Sequence, residues 1–214
     1  MKLYGYWRSS AAYRVRIALN LKGVEYEQES VHLVKDGGEQ FSDSYTAMNP
    51  AQLVPTLVDG ELTLNQSMAI LDYIENKFSQ HPLLPADIAE RAQVLALAND
   101  IACDIHPLNN LRILKYLTGE LGATEEQKTE WYHHWLHKGF GPLEAQAKKY
   151  GSTGKFLFGD QLTLADVVLI PQIYNALRFK LDMSNYPLLS SIWEHCNSLD
   201  AFKNALPENQ PDAS

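Results

Sequence analysis

An α/β domain followed by an all-helical domain is the fold class this sequence predicts, on three observations. Extended and helical segments alternate up to about residue 80. A stretch with two prolines, Ser79-Gln80-His81-Pro82-Leu83-Leu84-Pro85, then breaks the pattern, and beyond it only helical periodicity remains. The expected domains are residues 1–80 and 87–214, with 81–86 as the linker. A chain of 214 residues is long enough to bury two such cores.

Taken in order, Leu3 to Trp7 reads as a strand, Ser10 to Leu21 as a helix and Tyr26 to His32 as a second strand. Thr56 to Asp59 and Leu62 to Leu64 read as a hairpin turning at Asp59-Gly60. Ser67 to Phe78 reads as a helix with Ile70, Leu71, Ile74 and Phe78 inward. The first half is therefore βαβ followed by ββα. In the second half Val94, Leu97, Ala98, Ile101, Ile105 and Leu108 recur at helical steps. Trp131, Trp135 and Phe140 mark another helix, and Val167 to Phe179 a third. Pro107 lies within the first of these and should bend it, since it removes an internal hydrogen bond. Thr163-Leu164-Ala165-Asp166 has the spacing of a capping box and locates a helix start. The polar tail from about Pro207 is expected to fray.

Composition narrows the function classes. Hydrophobic residues make up 45% and charged residues 21%, ordinary values for a globular chain. A net charge of -8 repels nucleic acid and acidic membrane surfaces, and no basic patch overrides it. The N-terminal residues lack the apolar core of a signal peptide and no apolar run is long enough for a bilayer, so a cytoplasmic protein is expected. Cys103 and Cys196 form no Cys-x-x-Cys pattern and are expected to be buried, reduced thiols.

Three local signals carry chemistry. Ser9 and Ser10 stand where the first strand ends and a helix begins, a place where unpaired backbone N–H groups favour a thiolate or carboxylate. Taken alone, such a serine is an ordinary N-cap. Val54-Pro55 opens the third strand, and a cis bond there would expose the Val54 backbone. Gln66-Ser67 stands at another helix start, again suited to a carboxylate.

In their order and spacing these signals resemble the thioredoxin-like N-terminal domain of glutathione transferases. The run SSAAYRVRIAL resembles the zeta class, whose pattern is Ser-Ser-Cys, two residues, then Arg-x-Arg-Ile-Ala-Leu. Asn49-Pro50, Val54-Pro55, the TLAD box and Arg178-Phe179-Lys180 extend the likeness over nearly the whole chain. Ala11 replaces the class cysteine, so side activities that need that thiol are not expected.

The resemblance implies glutathione as cofactor and a cis-trans isomerase that converts maleylacetoacetate to fumarylacetoacetate in tyrosine and phenylalanine catabolism. Glutathione's thiolate adds to the cis double bond, the resulting single bond rotates, and elimination gives the trans isomer. Ser9, with Ser10 next, would activate the thiol; Val54 would hold the glutathione backbone, and Gln66 and Ser67 its γ-glutamyl carboxylate. Gln40 would reach its glycyl end, and His106 and Asn110 would contact it or the substrate from the helical half. Arg8 and Arg178, with Arg112 as a third candidate, would grip the carboxylates of a dianionic substrate. The resemblance also implies a homodimer.

Other readings remain open on the sequence. Asn99, Cys103, His106 and Asn110 form a polar stripe on one expected helix, as consistent with a partly exposed face as with a ligand site. Cys103 to Asn110 also resembles bacterial maleylpyruvate isomerases of gentisate catabolism. A general glutathione transferase and a non-catalytic binding module of the same fold are further alternatives. His133, His134 and His137 lie within one helical turn but lack a completing Cys or carboxylate, so no metal is expected.

Overall fold

A computed structural model describes residues 1–151 and 153–213. The chain forms two compact units, Met1–Pro82 joined by the segment that begins at Ser198, and Leu83–Asn197.

The first unit is a four-stranded sheet with helices. Its strands are β1 (Lys2–Gly5), β2 (Glu27–Ser30), β3 (Thr56–Asp59) and β4 (Leu62–Asn65), in the order β2-β1-β3-β4. β1 pairs parallel with β2 and antiparallel with β3, and β3 pairs antiparallel with β4. The β3–β4 turn uses Gly60 at φ 62°, a conformation glycine adopts without steric cost. α1 (Ser10–Leu21) connects β1 to β2, and α3 (Ser67–Lys77) follows β4. α1 packs against α3 and against α9 (Asp200–Ala205), and its residues Ala12 to Leu19 are all buried. Being enclosed all round, α1 carries two arginines, Arg14 and Arg16, each 1% exposed. A buried ion pair of 2.6 Å, Lys22 to Glu75, ties the end of α1 to α3.

Two expectations for this unit are corrected and one helix is added. Phe78 is only half-buried, because α3 ends at Lys77 and Phe78 turns to extended backbone. A short helix, α2 (Asp43–Met48), has no counterpart in the sequence reading; the Ser42 hydroxyl caps it by accepting from Tyr45 N–H. The tail does not fray as far as Ala213, the last described residue. Asp212 accepts hydrogen bonds from the first unit, Gln210 is buried, and the segment from Ser198 belongs with the α/β unit although residues 87–214 were expected to be one domain.

The second unit contains α4 (Ile88–Asn99), α5 (Leu111–Gly119), α6 (Glu125–Tyr150), α7 (Leu164–Arg178) and α8 (Pro187–Asn197). Val94, Leu97, Ala98, Ile101 and Ile105 form its buried stripe, with Leu136, Phe140 and Leu143 from α6. Leu108 is only half-buried. α4 does not run on through Pro107 as one bent helix: it passes into a π-helical turn, Asp100–Ile105, and a 3-10 turn, His106–Asn109. Pro107 has no N–H to continue an α-helical ladder, so the backbone rewinds around it. Gly139 on α6 makes room there, since a Cβ at that position would fall 2.2 Å from Ile105 Cδ1.

The TLAD box forms as expected. The Asp166 carboxylate, wholly buried, accepts from the Thr163 N–H (2.8 Å) and hydroxyl (3.1 Å) and from the Leu157 N–H (2.7 Å). Burial pushes its pKa up to about 6 against the pull of those donors. Cys196 is buried and its thiol is pushed upward by desolvation, whereas Cys103, expected to be buried, is exposed because it lies on the outer side of the π-helical turn rather than on the Ile101–Ile105 stripe.

Candidate active site

The register of the sheet gathers the candidate residues of the first unit at one end. Gly5, at the C-terminal end of β1, is opposite Ser30 at the C-terminal end of β2. Tyr4 is opposite Thr56, the first residue of β3, and Thr56 is opposite Asn65, the last of β4. Hence the chain after β1 (Arg8, Ser9, Ser10), the loop after β2 (Gln40), the residue pair before β3 (Val54-Pro55) and the start of α3 (Gln66, Ser67) all leave the sheet at the same end of its strands.

Ser9 caps α1: its Oγ accepts from the Ala12 N–H at 3.2 Å. A hydroxyl that accepts this bond keeps its own proton to donate outward. Ser10 follows as the first helical residue and is 4% exposed. The first turn of α1 has no acidic side chain, so nothing on the helix neutralises the positive end of its dipole. Ala11 contributes no polar atom. Arg8 donates from Nε and Nη2 to the Tyr6 hydroxyl at 3.3 and 3.0 Å, and its guanidinium lies 4.5 Å over the Trp7 ring.

Val54-Pro55 is a cis peptide. Among the described residues neither the N–H nor the C=O of Val54 has a hydrogen-bond partner, which leaves one donor and one acceptor for an extended peptide. The loop that presents them is fixed by Asn49, 1% exposed. Asn49 Nδ2 donates to the Leu53 carbonyl (2.8 Å) and Thr56 Oγ1 (3.0 Å), and its Oδ1 accepts from Ala51 N–H and Asn65 Nδ2. Tyr45 adds a hydroxyl bond of 2.7 Å to the Leu53 carbonyl, and desolvation raises its pKa.

Gln66 has φ 67° and ψ 111°, a strained conformation for a residue with a Cβ, and strain of this kind concentrates where a chain holds a ligand. It is exposed, while Ser67 is 6% exposed and accepts from Arg14 Nη1 at 3.2 Å. Gln40, 6% exposed, folds over Gly38, and its Oε1 is buried with no hydrogen-bond partner among the described residues. Gly38 is required there: its φ is 121°, and a Cβ would fall 2.5 Å from Gln40 Nε2.

In the second unit one turn of α6 organises the candidates. Asn109 Nδ2 donates to the Tyr132 carbonyl at 3.2 Å, and Trp131 Nε1 donates to the Leu108 carbonyl at 2.9 Å. The Tyr132 ring stacks on Phe179 with centroids 3.7 Å apart, and His133 Nε2 is 2.8 Å from the Phe179 carbonyl oxygen. Leu108 and Asn109, between His106 and Asn110, and Phe179 next to Arg178, are thereby tied to α6. Arg178 is exposed, its guanidinium 4.7 Å over the Phe179 ring. Burial raises the Tyr132 pKa, against the opposing charge of Arg178. Arg112 is exposed.

Asn110 is not on the helix that carries Asn99 and Cys103, contrary to the expected stripe; it caps α5, its Oδ1 accepting from Arg112 N–H at 3.1 Å. His133 and His137 serve structure: His137 Nδ1 is 2.6 Å from the Tyr186 hydroxyl. Among the described residues no group of three or more His, Cys, Asp or Glu is placed to hold a metal, and no helix is long and apolar enough to cross a membrane.

The sequence reading missed Tyr6, Trp7, Arg14 and Asn49, which position the candidates. Asn49 stands in a motif that the resemblance drew on, but its hydrogen bonds carry no local signature.

Comparison with known proteins follows this division. The profile of the glutathione S-transferase N-terminal domain matches residues 1–76, and that of the C-terminal domain residues 110–200. A probable maleylacetoacetate isomerase of Vibrio cholerae serotype O1 is 55% identical over 99% of this chain and 97% of its own. A maleylpyruvate isomerase of a Ralstonia species is 46% identical over 100% of both chains. Among solved structures, a maleylacetoacetate isomerase of Methylobacterium extorquens AM1 with bound malonate and glutathione superimposes with a TM-score of 0.94 at 40% identity, covering 100% of both chains.

Proposed function

Because this chain belongs to the glutathione S-transferase family, we propose that it is a zeta-class, glutathione-dependent cis-trans isomerase whose substrate is maleylacetoacetate. The observation that carries the reading is the Ser9 hydroxyl, bonded as acceptor to Ala12 N–H and left with its proton at an uncompensated helix N-terminus.

The residues fit glutathione. Val54 offers a free backbone N–H and C=O for the peptide, the strained Gln66 and the half-committed Ser67 hydroxyl suit the γ-glutamyl carboxylate, and the Gln40 Oε1, unpartnered among the described residues, suits the glycyl end as acceptor for its N–H. Bound glutathione supplies the nucleophilic thiolate. Ser9 and the α1 dipole lower the thiol's pKa by stabilising its anion, with Ser10 as the second hydroxyl in reach of the same turn. Arg8 and Arg178 each bind a substrate carboxylate, and their charge favours the enolate that develops on addition. His106 and Asn110 contact glutathione or substrate, with Arg112 as a further cation. The malonate in the Methylobacterium structure is itself a dicarboxylate, which agrees with a dianionic substrate.

A second reading, maleylpyruvate as substrate, is favoured by the 46% identity to the Ralstonia enzyme over the full length of both chains. We further infer a cytoplasmic homodimer, which light scattering would test for its assembly state. The deciding assay is glutathione-dependent isomerisation of maleylacetoacetate and maleylpyruvate side by side. Higher kcat/KM for the first supports the proposal, higher kcat/KM for the second selects the alternative, and no isomerisation of either refutes both.

A further inference from the structure

The backbone of Trp7 is held at both polar groups. Its N–H donates to Asp212 Oδ2 at 3.1 Å, and its carbonyl accepts from Arg16 Nη2 at 2.9 Å. Arg16 in turn reaches the C-terminal segment, donating from Nε and Nη2 to the Ala205 carbonyl, each at 3.2 Å. Asp212 accepts two further bonds, from the Ser30 hydroxyl at 3.1 Å and from Gln28 Nε2 at 3.2 Å. One half-buried carboxylate therefore joins residues after β1 to the end of β2 across more than 180 residues of sequence.

Trp7 immediately precedes Arg8 and Ser9, and both depend on where it lies. Its ring carries the Arg8 guanidinium at 4.5 Å, and the adjoining Tyr6 accepts from Arg8 through its hydroxyl and from Ser9 N–H through its carbonyl, the latter at 2.9 Å. A displacement of the Trp7 peptide thus moves the proposed substrate cation and the proposed thiol activator together. Placement errors of about 1 Å in such groups are enough to cost on the order of 100-fold in rate.

We propose that Asp212 is a positioning residue for the isomerisation: by fixing the Trp7 N–H it sets the height of Arg8 on its aromatic platform and the aim of the Ser9 hydroxyl. This rests on the isomerase reading above. Two features suit the role to a carboxylate. It accepts three bonds from neutral donors, and an amide in its place would turn an N–H₂ group toward either the Trp7 N–H or the Gln28 amide. It also lies on a segment that none of the proposed ligand contacts uses, so its effect on Arg8 and Ser9 passes through the Trp7 peptide, the one group after β1 that it holds.

The test compares full-length wild type with Asp212→Asn, Asp212→Glu and, as a control on the same segment, Lys203→Ala, whose side chain makes only an exposed 3.4 Å pair with Asp200. Melting temperature, the pKa of the bound glutathione thiol from thiolate absorbance across pH, and kcat and KM for maleylacetoacetate are read for each. Asp212→Asn should raise the bound thiol's pKa and lower kcat/KM by about tenfold, with Asp212→Glu recovering most of both and Lys203→Ala matching wild type. A wild-type thiol pKa and kcat/KM in Asp212→Asn overturns the proposal. So do equal losses in Asp212→Asn and Asp212→Glu that follow only their melting temperatures. Should Asp212→Asn fail to fold, Ser30→Ala removes one of the three donors, and wild-type values there overturn the proposal while a rise in thiol pKa upholds it. If wild type binds glutathione but isomerises no cis dicarboxylate, the isomerase reading fails, and the thiol pKa comparison still decides the role of Asp212.

Discussion

Arg14 donates from Nη1 to the Ser67 hydroxyl at 3.2 Å, joining a fully buried guanidinium in α1 to the first residue of α3. Ser67 is thereby placed as Ser9 is: its oxygen accepts an internal bond and its proton remains for a ligand. Both hydroxyls are set at helix N-termini at the same end of the sheet's strands, so the two ends of one extended anionic ligand can be held by a single kind of arrangement.

Ser67→Ala should weaken glutathione binding by about tenfold and destabilise the protein by about 1–3 kcal/mol, because a buried charged donor loses an acceptor. Calorimetric titration with glutathione and chemical denaturation check the two effects separately. Ser67→Thr keeps the hydroxyl and should retain most of the affinity. Equal affinities for all three proteins would remove Ser67 from the glutathione site.

Ser9→Ala removes a helix cap and the proposed thiol donor together, and the two losses differ in size. The cap is worth about 1 kcal/mol of stability. The loss of hydroxyl stabilisation of the thiolate should lower kcat by about 100-fold and raise the bound thiol's pKa. Denaturation, steady-state kinetics and thiolate absorbance measure the three quantities. A loss of about 1 kcal/mol of stability with unchanged kcat would leave Ser9 as a cap alone.

How much of this was legible in the sequence follows from the range of each interaction. The cap at Ser9 and the Thr163–Asp166 box are formed by residues three apart, and such spacing is visible in a linear chain. The succession βαβ then ββα followed from alternation and turn chemistry. By contrast the Arg14–Ser67 bond spans 53 positions and the Trp7–Asp212 bond 205. Neither residue type announces such a partner, and the burial of Arg14 and Arg16 follows only from the enclosure of α1 by α3 and α9. The polar tail was misjudged for the same reason: its composition suggests solvent, while the donors that fix Asp212 come from β2 and the turn after β1. Pro107 announced an irregularity in its helix, but neither the π-helical turn before it nor the close approach of Ile105 to Gly139 has a local pattern to record it.

Arg178→Ala should act on substrate and spare the fold. Its side chain is exposed and rests on the Phe179 ring, so truncation opens no cavity and the melting temperature should stay within about 2 °C of wild type. KM for a dicarboxylate should rise by about 10- to 100-fold with a smaller change in kcat, as expected for loss of a carboxylate contact present before and during reaction. Arg178→Lys should restore part of the affinity, less than a planar guanidinium provides. A KM that does not move, measured with either cis substrate, would exclude Arg178 from carboxylate binding.

The Asp166 box supplies a pH signature. Its carboxyl is raised by burial to about 6 in the folded protein, against an ordinary value of 3.8. Between about pH 4 and 6 the folded protein therefore retains a proton that the unfolded chain has released. Stability contributed by this group is present below the unfolded value and declines as pH rises through the folded one. Asp166→Asn abolishes the titration and leaves the Leu157 and Thr163 donors with one acceptor oxygen where they had two. The variant should be less stable than wild type at pH 4, and the gap should narrow by up to about 3 kcal/mol on going to pH 7, the free-energy equivalent of a shift of roughly two pKa units. Denaturant titrations of both proteins at several pH values measure the gap directly. A gap that widens from pH 4 to 7 would mean that the three donors outweigh burial and that the folded-state carboxyl titrates below 3.8.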